Sequence, residues 1–268
     1  MGVRIADLTP ESIRDLFKVC SDPSLREEAL KKGISIKKKW LLDMLRKYGH
    51  VAKIGYLNNR PVAQILFYPG EADPAGYARE DVLIIHCVYN PFPQAQRRGI
   101  AKALVKSLIN DAKQWGYKFL AVYAFETGEY YSQRAFFSRL GFKLVPGGSP
   151  CDLYYPLGRG VLSEEAFNPW RDMGETVMPI SEDQGKAFVF YAPTCEYGYV
   201  FALKTAETIR SLAPDIEINL VNYWENPAPF LARGKRWLLV NGVPIESSPL
   251  DIETFREEVR RAASLRHL

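Results

Sequence analysis

Residues 83–101 read LIIHCVYNPFPQAQRRGIA, and this stretch decides the fold. Residues 83–90 are apolar enough for a strand that is buried in the centre of a sheet. Apolar residues then recur at the spacing of one helix face, and Gly116 ends the pattern. These apolar positions are Ile100, Leu104, Leu108, Ala112 and Trp115. The stretch therefore predicts a central strand that is followed directly by an amphipathic helix.

The turn between this strand and this helix has the features of a phosphate-binding segment. A helix start carries backbone N–H groups without partners and a partial positive charge, which suits a pyrophosphate. Gly99 and Ala101 permit close approach to these amides, and Arg97 and Arg98 add cationic donors. A Q-x-x-G-x-A turn is also found in ordinary strand-to-helix loops, so its context has to decide between the two interpretations.

Strand and helix patterns alternate through the first half of the chain. An Asn58-Asn59 pair predicts a tight hairpin, because Asn tolerates left-handed turn conformations. A helix over residues 36–48 carries Lys37, Lys38 and Lys39, which we interpret as a solvated face. The other predicted elements are a strand at 3–8, a helix after Thr9, hairpin strands at 52–56 and 61–68, a buried strand at 119–124, a helix that ends near Gly141, and short strands at 142–145 and 153–155. We predict an α/β (α+β) domain over residues 1–156, with a mixed sheet flanked by helices.

The second half predicts a separate, smaller α/β domain. Periodicity fades over residues 157–185, which we interpret as a linker, and residues 186–268 form the second domain. Strands are predicted at 187–192 and 217–223, with a helix at 197–212 between them. A hairpin over Asn241-Gly242 follows, and a helix over 252–263 closes the domain.

Composition excludes several classes of protein. The net charge of +4 is too small to demand nucleic acid or an anionic membrane as a partner, so we expect neither. Four scattered cysteines without a C-x-x-C pair fit neither a metal site nor a secreted disulfide framework. No segment resembles a signal peptide or a membrane span, so we expect a reducing, cytoplasmic location.

Residues 83–142 resemble the GNAT acetyltransferase superfamily, and as an architecture the resemblance covers residues 3–156. It rests on the strand LIIHCVYNP, the QRRGIA turn with its helix, the strand FLAVYA and the closing FFSRLGF. The turn matches the acetyl-CoA pyrophosphate motif of that family, Q/R-x-x-G-x-G/A. The resemblance implies that the central strand and its parallel neighbour splay apart to admit the pantetheine of acetyl-CoA. It implies the following contacts to acetyl-CoA: Val88, Tyr89 and Asn90 for the pantetheine, and Gln96, Arg97, Arg98, Gly99, Ile100 and Ala101 for the diphosphate.

This sequence lacks the tyrosine that the resemblance would imply as the general acid. Many relatives place a tyrosine four residues before the Gly of the closing Gly-Phe, and here that residue is Phe137. Either the thiolate of CoA leaves without a general acid, or another group protonates it. Tyr130 and Tyr131 are the nearest substitutes, although both would equally suit helix capping and packing.

The general base is also open. Glu71, His86 and Glu126 follow, or lie within, strands that lead to the predicted cleft. A buried histidine that is satisfied by hydrogen bonds is the alternative interpretation of His86.

The second domain resembles a thioredoxin-like fold, with Cys195 of VFYAPTCEYG at the strand-to-helix turn. A thiol at a helix start is expected to have a lowered pKa. Gly198 stands where a second cysteine would complete C-x-x-C, which excludes exchange with a thiol partner at that position. A GNAT domain followed by such a unit is similar to the subgroup with a C-terminal YoaP-like domain. Cys195 is either an inert thiol or a monothiol that binds substrate or senses redox state.

The sequence thus predicts an N-acetyltransferase in which an amine attacks acetyl-CoA directly in a ternary complex. The acceptor is a small-molecule or peptide amine that the sequence does not identify, and we expect a monomer or a homodimer. Two alternatives stay open: a non-catalytic acyl-CoA sensor, in which Phe137 marks lost chemistry, and a thiol-dependent protein centred on Cys195.

Overall fold

The structure is a computed structural model of the 268-residue chain, and it describes residues 2–21, 28–74, 79–125, 132–158 and 181–265. The chain divides into two compact units, residues 1–25 with 38–171 and residues 26–37 with 172–268. Residues 26–37 thus group with the C-terminal unit, whereas the sequence assigned them to the first domain. Most of the predicted linker at 157–185 lies outside the described residues.

The first unit contains a seven-stranded mixed sheet in its described residues, in the order β1-β2-β3-β4-β5-β7-β6. Only β4 and β5 are parallel among these strand pairs; the other neighbours are antiparallel. The strands are β1 (Val3–Asp7), β2 (Ala52–Leu57), β3 (Arg60–Pro69), β4 (Val82–Tyr89), β5 (Phe119–Tyr123), β6 (Lys143–Leu144) and β7 (Asp152–Pro156). The accompanying helices are α1 (Ile13–Cys20), α2 (Glu28–Tyr48), of which residues 28–37 group with the second unit, α3 (Ile100–Gln114) and α4 (Gln133–Ser138). The predicted mixed sheet flanked by helices is confirmed.

The core of this unit lies between the sheet and α3. Phe67, Leu83 and Ile85 from the central strands pack with Leu104 and Leu108 of α3, and all five are at most 2% exposed. Burial of each such side chain contributes roughly 1.5–3 kcal/mol relative to exposure. The central strand and the amphipathic helix predicted from residues 83–101 therefore form the central layer of the unit.

The hairpin between β2 and β3 has the predicted turn. Asn58 and Asn59 have φ angles of 50° and 64°, the left-handed conformation that a two-residue turn requires. α2 differs from the prediction, because it begins at Glu28 rather than at residue 36. The prediction missed its first two turns, in which apolar residues are sparse.

Lys37 is not part of a solvated face. Its side chain is 3% exposed, and its Nζ atom lies 2.9 Å from Oε2 of the equally buried Glu196. Gly33, one turn before Lys37, has no room for a Cβ, which would lie 2.1 Å from the carbonyl oxygen of Glu196. Lys38 and Lys39 are exposed, as predicted. The prediction for Lys37 was wrong because its partner is 159 residues away in sequence and no local pattern announces it.

The described residues of the second unit form a four-stranded sheet in the order β11-β10-β8-β9. Its described elements are β8 (Lys186–Tyr191), α5 (Glu196–Leu212), β9 (Glu217–Asn222), α6 (Ala228–Ala232), β10 (Leu238–Val240), β11 (Val243–Pro244) and α7 (Ile252–Ser264). β8 and β9 are parallel, whereas β10 is antiparallel to both β8 and β11. The sequence predicted all of these elements except α6, which has only five residues.

Asn241 joins the predicted hairpin to the rest of the second unit. Asn241 and Gly242 have φ angles of 51° and 73° and form the turn between β10 and β11. Oδ1 of Asn241 accepts a hydrogen bond from the Gly185 amide at 2.8 Å, and Nδ2 donates to the carbonyl of Ala262 at 3.0 Å. One buried side chain therefore ties the turn to the start of β8 and to the end of α7.

Candidate functional site

In the described part of the first unit, β4 extends beyond the end of its ladder with β5, and we call the space beyond this point the gap. The parallel ladder between these strands runs from Val82 opposite Phe119 to Ile85 opposite Val122 and then stops. On its other side, β4 stays paired with β3 as far as Tyr89 opposite Gln64. After β5, the chain pairs with the residues that precede β7, where the Ala124 amide donates to the carbonyl of Cys151 at 2.7 Å. Among the described residues, the ladder of β4 with β5 thus ends four residues before the ladder of β4 with β3.

His86 lies at the start of this gap, on a β-bulge. Leu66 is opposite Cys87 and Phe67 is opposite Ile85, so His86 is the extra residue on β4. A bulge re-aims side chains and commonly lies next to a functional site. His86 is exposed, and its ring lies 6.0 Å from that of Tyr68. The alternative interpretation, a histidine buried in the core, does not describe this residue.

The turn before α3 lies at the surface. Residues 96–99 are exposed, and Gly99, the residue at the helix start, has no side chain that could cap the helix. Arg97 and Gly99 have φ angles of 58° and 74°, and left-handed residues of this kind point successive N–H groups into a shared concavity that binds anions. A Cβ built on Gly99 would meet no atom within 4 Å, so the space over these amides is open.

Ile100 has a different orientation from the rest of the turn. Its side chain is 1% exposed and packs into the core, and its Cγ2 would lie 2.6 Å from a Cβ on Gly55. Only the backbone of Ile100 can therefore contact a ligand. The absence of a side chain at Gly55 in β2 makes room for this anchor of α3.

Two side-chain hydrogen bonds connect the end of β4 to the turn. Nδ2 of Asn90 donates to the carbonyl of Ala95 at 3.2 Å, and Nε2 of Gln96 donates to the carbonyl of Asn90 at 3.3 Å. The fully buried Ala95 lies between them in a short 3-10 helix, Pro93–Ala95. Asn90 and Gln96, which we predicted as contacts of a cofactor, therefore also fix the shape of the turn.

Glu71 lies at the wrong end of the sheet for the predicted role. It follows β3, whose last residue Pro69 is opposite Leu83 near the start of β4, about 10 Å before His86 at the usual rise of a strand. Desolvation raises the pKa of Tyr117, and the Glu71 carboxylate raises it further, which places Glu71 near Tyr117. The structure therefore does not bring Glu71 to the gap, and the prediction that it leads to the cleft is corrected. A residue directly after a strand can lie at either end of a sheet, and the sequence did not show which end.

Phe137, which replaces the usual tyrosine, is a core residue. It is 2% exposed, and its ring lies 5.1 Å from that of Phe136 and 5.0 Å from that of Phe142. The suggested substitutes Tyr130 and Tyr131, and also Glu126, lie outside the described residues.

Tyr123 is a candidate proton donor that the sequence interpretation missed. It ends β5, directly after the last residue that pairs with β4, and it is 52% exposed. Desolvation raises the pKa of its phenol, and the neighbouring Cys151 and Asp152 raise it further, so the phenol stays protonated at neutral pH. The available signal was its position at the carboxyl end of a parallel strand beside the splay.

Cys195 precedes α5 in the second unit, as predicted, but its pKa moves in the unexpected direction. The pKa of the thiol is raised mainly by desolvation and further by the Glu196 carboxylate. The residue as a whole is nevertheless exposed. Hydrogen bonds from the amides of Tyr197 and Gly198 and the charge of Lys37 lower it by less. The predicted helix-start effect is present but outweighed, so the expectation of a lowered pKa was wrong.

Comparisons with known proteins support one family for the first unit. Residues 11–142 match the model of the acetyltransferase (GNAT) family, which supports the GNAT superfamily for this part of the chain and, with it, acetyltransferase as the class of protein. No curated protein matches the chain by sequence.

Several solved structures are similar to the chain at low identity. PaiA N-acetyltransferase from Thermoplasma acidophilum, in complex with coenzyme A, has 16% identity and a TM-score of 0.43 over 57% of this chain and 97% of its own. An N-acetyltransferase from Staphylococcus aureus Mu50 has 17% identity and a TM-score of 0.44 over 59% of this chain and 100% of its own. A GNAT family acetyltransferase from Brucella melitensis, in complex with acetyl-CoA, has 15% identity and a TM-score of 0.40 over 60% of this chain and 92% of its own. The family match of residues 11–142 carries the assignment.

Proposed function

We propose that this chain is an N-acetyltransferase that transfers an acetyl group from acetyl-CoA to an amine. The observation that carries the proposal is the early end of the parallel β4–β5 ladder, at Ile85 and Val122, together with the exposed left-handed turn before α3. An extended ligand with amide groups can pair with the backbone of a strand such as β4, as an added strand would. Its diphosphate then meets the start of α3.

Two buried acceptors lie where β4 ends, one on Gln64 of β3, opposite Tyr89, and one on Asn90. Oε1 of Gln64 and Oδ1 of Asn90 are buried, and neither has a hydrogen-bond partner within the described chain. Buried acceptors of this kind usually have a partner, so a bound ligand or water is the expected source of the missing hydrogen bonds. Gly99 leaves open the space that a diphosphate requires.

Each part of the cofactor has assigned residues in this proposal. The backbone of Val88, Tyr89 and Asn90 binds the pantetheine, and one of these N–H groups polarises the thioester carbonyl. The amides of residues 97–101 bind the diphosphate, and Arg97 and Arg98 supply charge.

Two side chains beside the gap have the chemistry that the acetyl transfer needs. The amine nitrogen bonds to the thioester carbon while the carbon–sulfur bond breaks, so one proton leaves the nitrogen and one is taken up by the departing thiolate. His86 receives the first proton, since it is the exposed base on the bulge. Tyr123 supplies the second, since its phenol is protonated and exposed at the end of β5.

Release of free CoA tests the proposal against its alternatives. The purified chain is mixed with acetyl-CoA and a panel of small-molecule and peptide amines, and free thiol is measured with a chromogenic disulfide. We expect amine-dependent release that His86→Ala reduces by about 10²–10⁴-fold, with binding of acetyl-CoA retained. The buried Phe137 favours one alternative, a non-catalytic sensor, which would bind acetyl-CoA without any release. Dependence on Cys195, with no effect of His86→Ala, would support a thiol-centred function instead.

We further propose that the second unit is thioredoxin-like and that the chain belongs to the subgroup with a C-terminal YoaP-like domain. Support comes from the β8-α5-β9 unit, the antiparallel β10 and β11, the final helix α7, and Cys195 at the start of α5. No helix among the described residues is both long and apolar enough to cross a membrane. The cytoplasmic location and the monomeric or homodimeric state remain predictions.

A further inference from the structure

A second feature of the first unit, separate from the gap, is a cationic groove of about 430 Å³ between α3, the end of α4 and β7. Its described lining contains four cationic side chains and no carboxylate. The lining residues are Lys102, Lys106, Ile109, Asn110, Lys113, Arg139, Leu140 and Tyr155. We call this feature the α3 groove.

The positive charge of the α3 groove is not neutralised by its own helix. Lys102, Lys106 and Lys113 are exposed on one face of α3, and none of the three forms an ion pair with another described residue. Asp111 is the one acidic residue of α3, and it pairs with the buried Lys53 of β2 instead. The groove therefore keeps a local positive potential although the chain as a whole carries only +4.

The α3 groove extends far beyond the reach of the proposed diphosphate site. Lys113 follows Gly99 by 14 residues, which is about 21 Å at the rise of an α-helix. The three lysines span the 11 residues from Lys102 to Lys113, about 16.5 Å, which suits an extended anionic ligand better than one compact anion. Polar and charged side chains predominate in the lining, whereas small-molecule sites are typically apolar.

We propose that the α3 groove binds an acidic peptide segment of a partner protein. In an extended peptide, every second side chain recurs at about 6.6 Å on one face. The rise from Lys102 to Lys106 is about 6 Å, so alternate carboxylates meet successive lysines of α3. Ile109, Leu140 and Tyr155 of the lining offer apolar contacts to the methylene groups of the Glu side chains.

The aromatic residue of the groove argues against single-stranded nucleic acid as the occupant. Proteins that bind single strands stack bases on free aromatic rings. The Tyr155 ring packs 5.3 Å from that of Phe142, and its edge would lie 3.2 Å from a Cβ on Gly141. It therefore forms part of the groove wall and does not stand free as a stacking platform.

Fluorescence anisotropy of a labelled peptide tests this proposal with the full chain and without acetyl-CoA, so the result does not depend on acetyl transfer. The probe is a peptide of about eight residues in which Glu alternates with Leu or Ser, with Gln replacing Glu in a control peptide. The test variant is K106E/K113E, which reverses two charges in the groove. The matched control is K204E/R210E, which reverses two exposed charges on α5.

We expect the acidic peptide to bind, the Gln peptide not to bind, and K106E/K113E to weaken binding by about tenfold or more, with little change for K204E/R210E. Raising salt to about 0.5 M should weaken binding in the same direction. The proposal is overturned if no acidic peptide binds or if K106E/K113E binds as tightly as wild type. It is also overturned if CoA displaces the peptide, because the groove then belongs to the cofactor. Tighter binding of oligothymidylate than of the peptide, with the same sensitivity to K106E/K113E, would make the groove a nucleic-acid surface.

Discussion

Replacement of Gly99 by alanine separates the role of this residue in ligand binding from its role in folding. Gly99 has a φ angle of 74°, which costs an L-residue about 1–2 kcal/mol. A Cβ at this position meets no atom within 4 Å, so no clash adds to that cost. We therefore expect Gly99→Ala to lower the free energy of unfolding by about 1–2 kcal/mol.

The effect of Gly99→Ala on acetyl-CoA should be larger than this folding cost suggests. The new methyl group occupies the open space over the amides, where we place the diphosphate. Loss of one hydrogen bond to a charged oxygen costs about 1.5–3 kcal/mol, which corresponds to about a 10- to 100-fold weaker dissociation constant. Isothermal titration calorimetry measures this constant, and urea unfolding measures the folding cost.

Gly116→Ala is the matched control for this experiment. Gly116 lies after the other end of α3, has a φ angle of 87°, and likewise has no atom within 4 Å of a built Cβ. It should show a similar loss of folding free energy with unchanged affinity for acetyl-CoA. The reasoning is refuted if both variants bind acetyl-CoA as tightly as wild type, or if both lose affinity equally.

Three further predictions concern burial and charge. Phe137→Tyr should not raise turnover, and it should lower the free energy of unfolding, measured in urea, by about 1–3 kcal/mol. The reason is that the new hydroxyl has no partner between Phe136 and Phe142. Faster release of CoA would show instead that this position faces the reaction. Asp183→Asn should lower the free energy of unfolding by about 3–5 kcal/mol, because it removes the counter-charge of the buried Arg233 guanidinium. In the wild type, Nε of Arg233 donates to Asp183 at 2.9 Å. An unchanged midpoint of urea unfolding would contradict this prediction. The raised pKa of Cys195 predicts slow alkylation by iodoacetamide at neutral pH. The rate should rise about tenfold per pH unit until the pH exceeds the usual thiol pKa near 9. A rate that is already maximal near pH 7 would show instead the lowered pKa of a thiol at a helix start.

The sequence predicted those features that local patterns determine. The apolar run of residues 83–90 predicted β4, and the helical spacing that begins at Ile100 predicted α3. The Asn58-Asn59 and Asn241-Gly242 pairs located two hairpin turns. In each case, the physical cause acts over a few neighbouring residues. The same holds for Cys195, whose place at the start of α5 was predictable.

The errors arose where distant residues decide the outcome. Lys37 looked like one of three solvated lysines, but a carboxylate 159 residues away draws it into the interior. The thiol of Cys195 faces a helix start, yet desolvation and the Glu196 carboxylate outweigh the helix amides. Glu71 follows a strand as expected, but the antiparallel pairing of β3 with β4 puts it at the end of the sheet away from His86.

Tyr123 shows the same limit for the candidate site. Its role depends on where the pairing of β5 with β4 stops, and a sequence pattern does not reveal the last paired residue of a ladder. His86 was identified as a candidate, but the bulge that exposes it could not be foreseen, because it comes from a register shift between Leu66 and Phe67 of the neighbouring strand.

A crystal structure of the chain soaked with acetyl-CoA is the most direct measurement for the account as a whole. The account predicts diphosphate oxygens within hydrogen-bonding distance of main-chain nitrogens in residues 97–101, and a pantetheine arm that runs along residues 88–90 with its sulfur near His86. Acetyl-CoA bound elsewhere on the chain, or a closed space between the ends of β4 and β5, would contradict it.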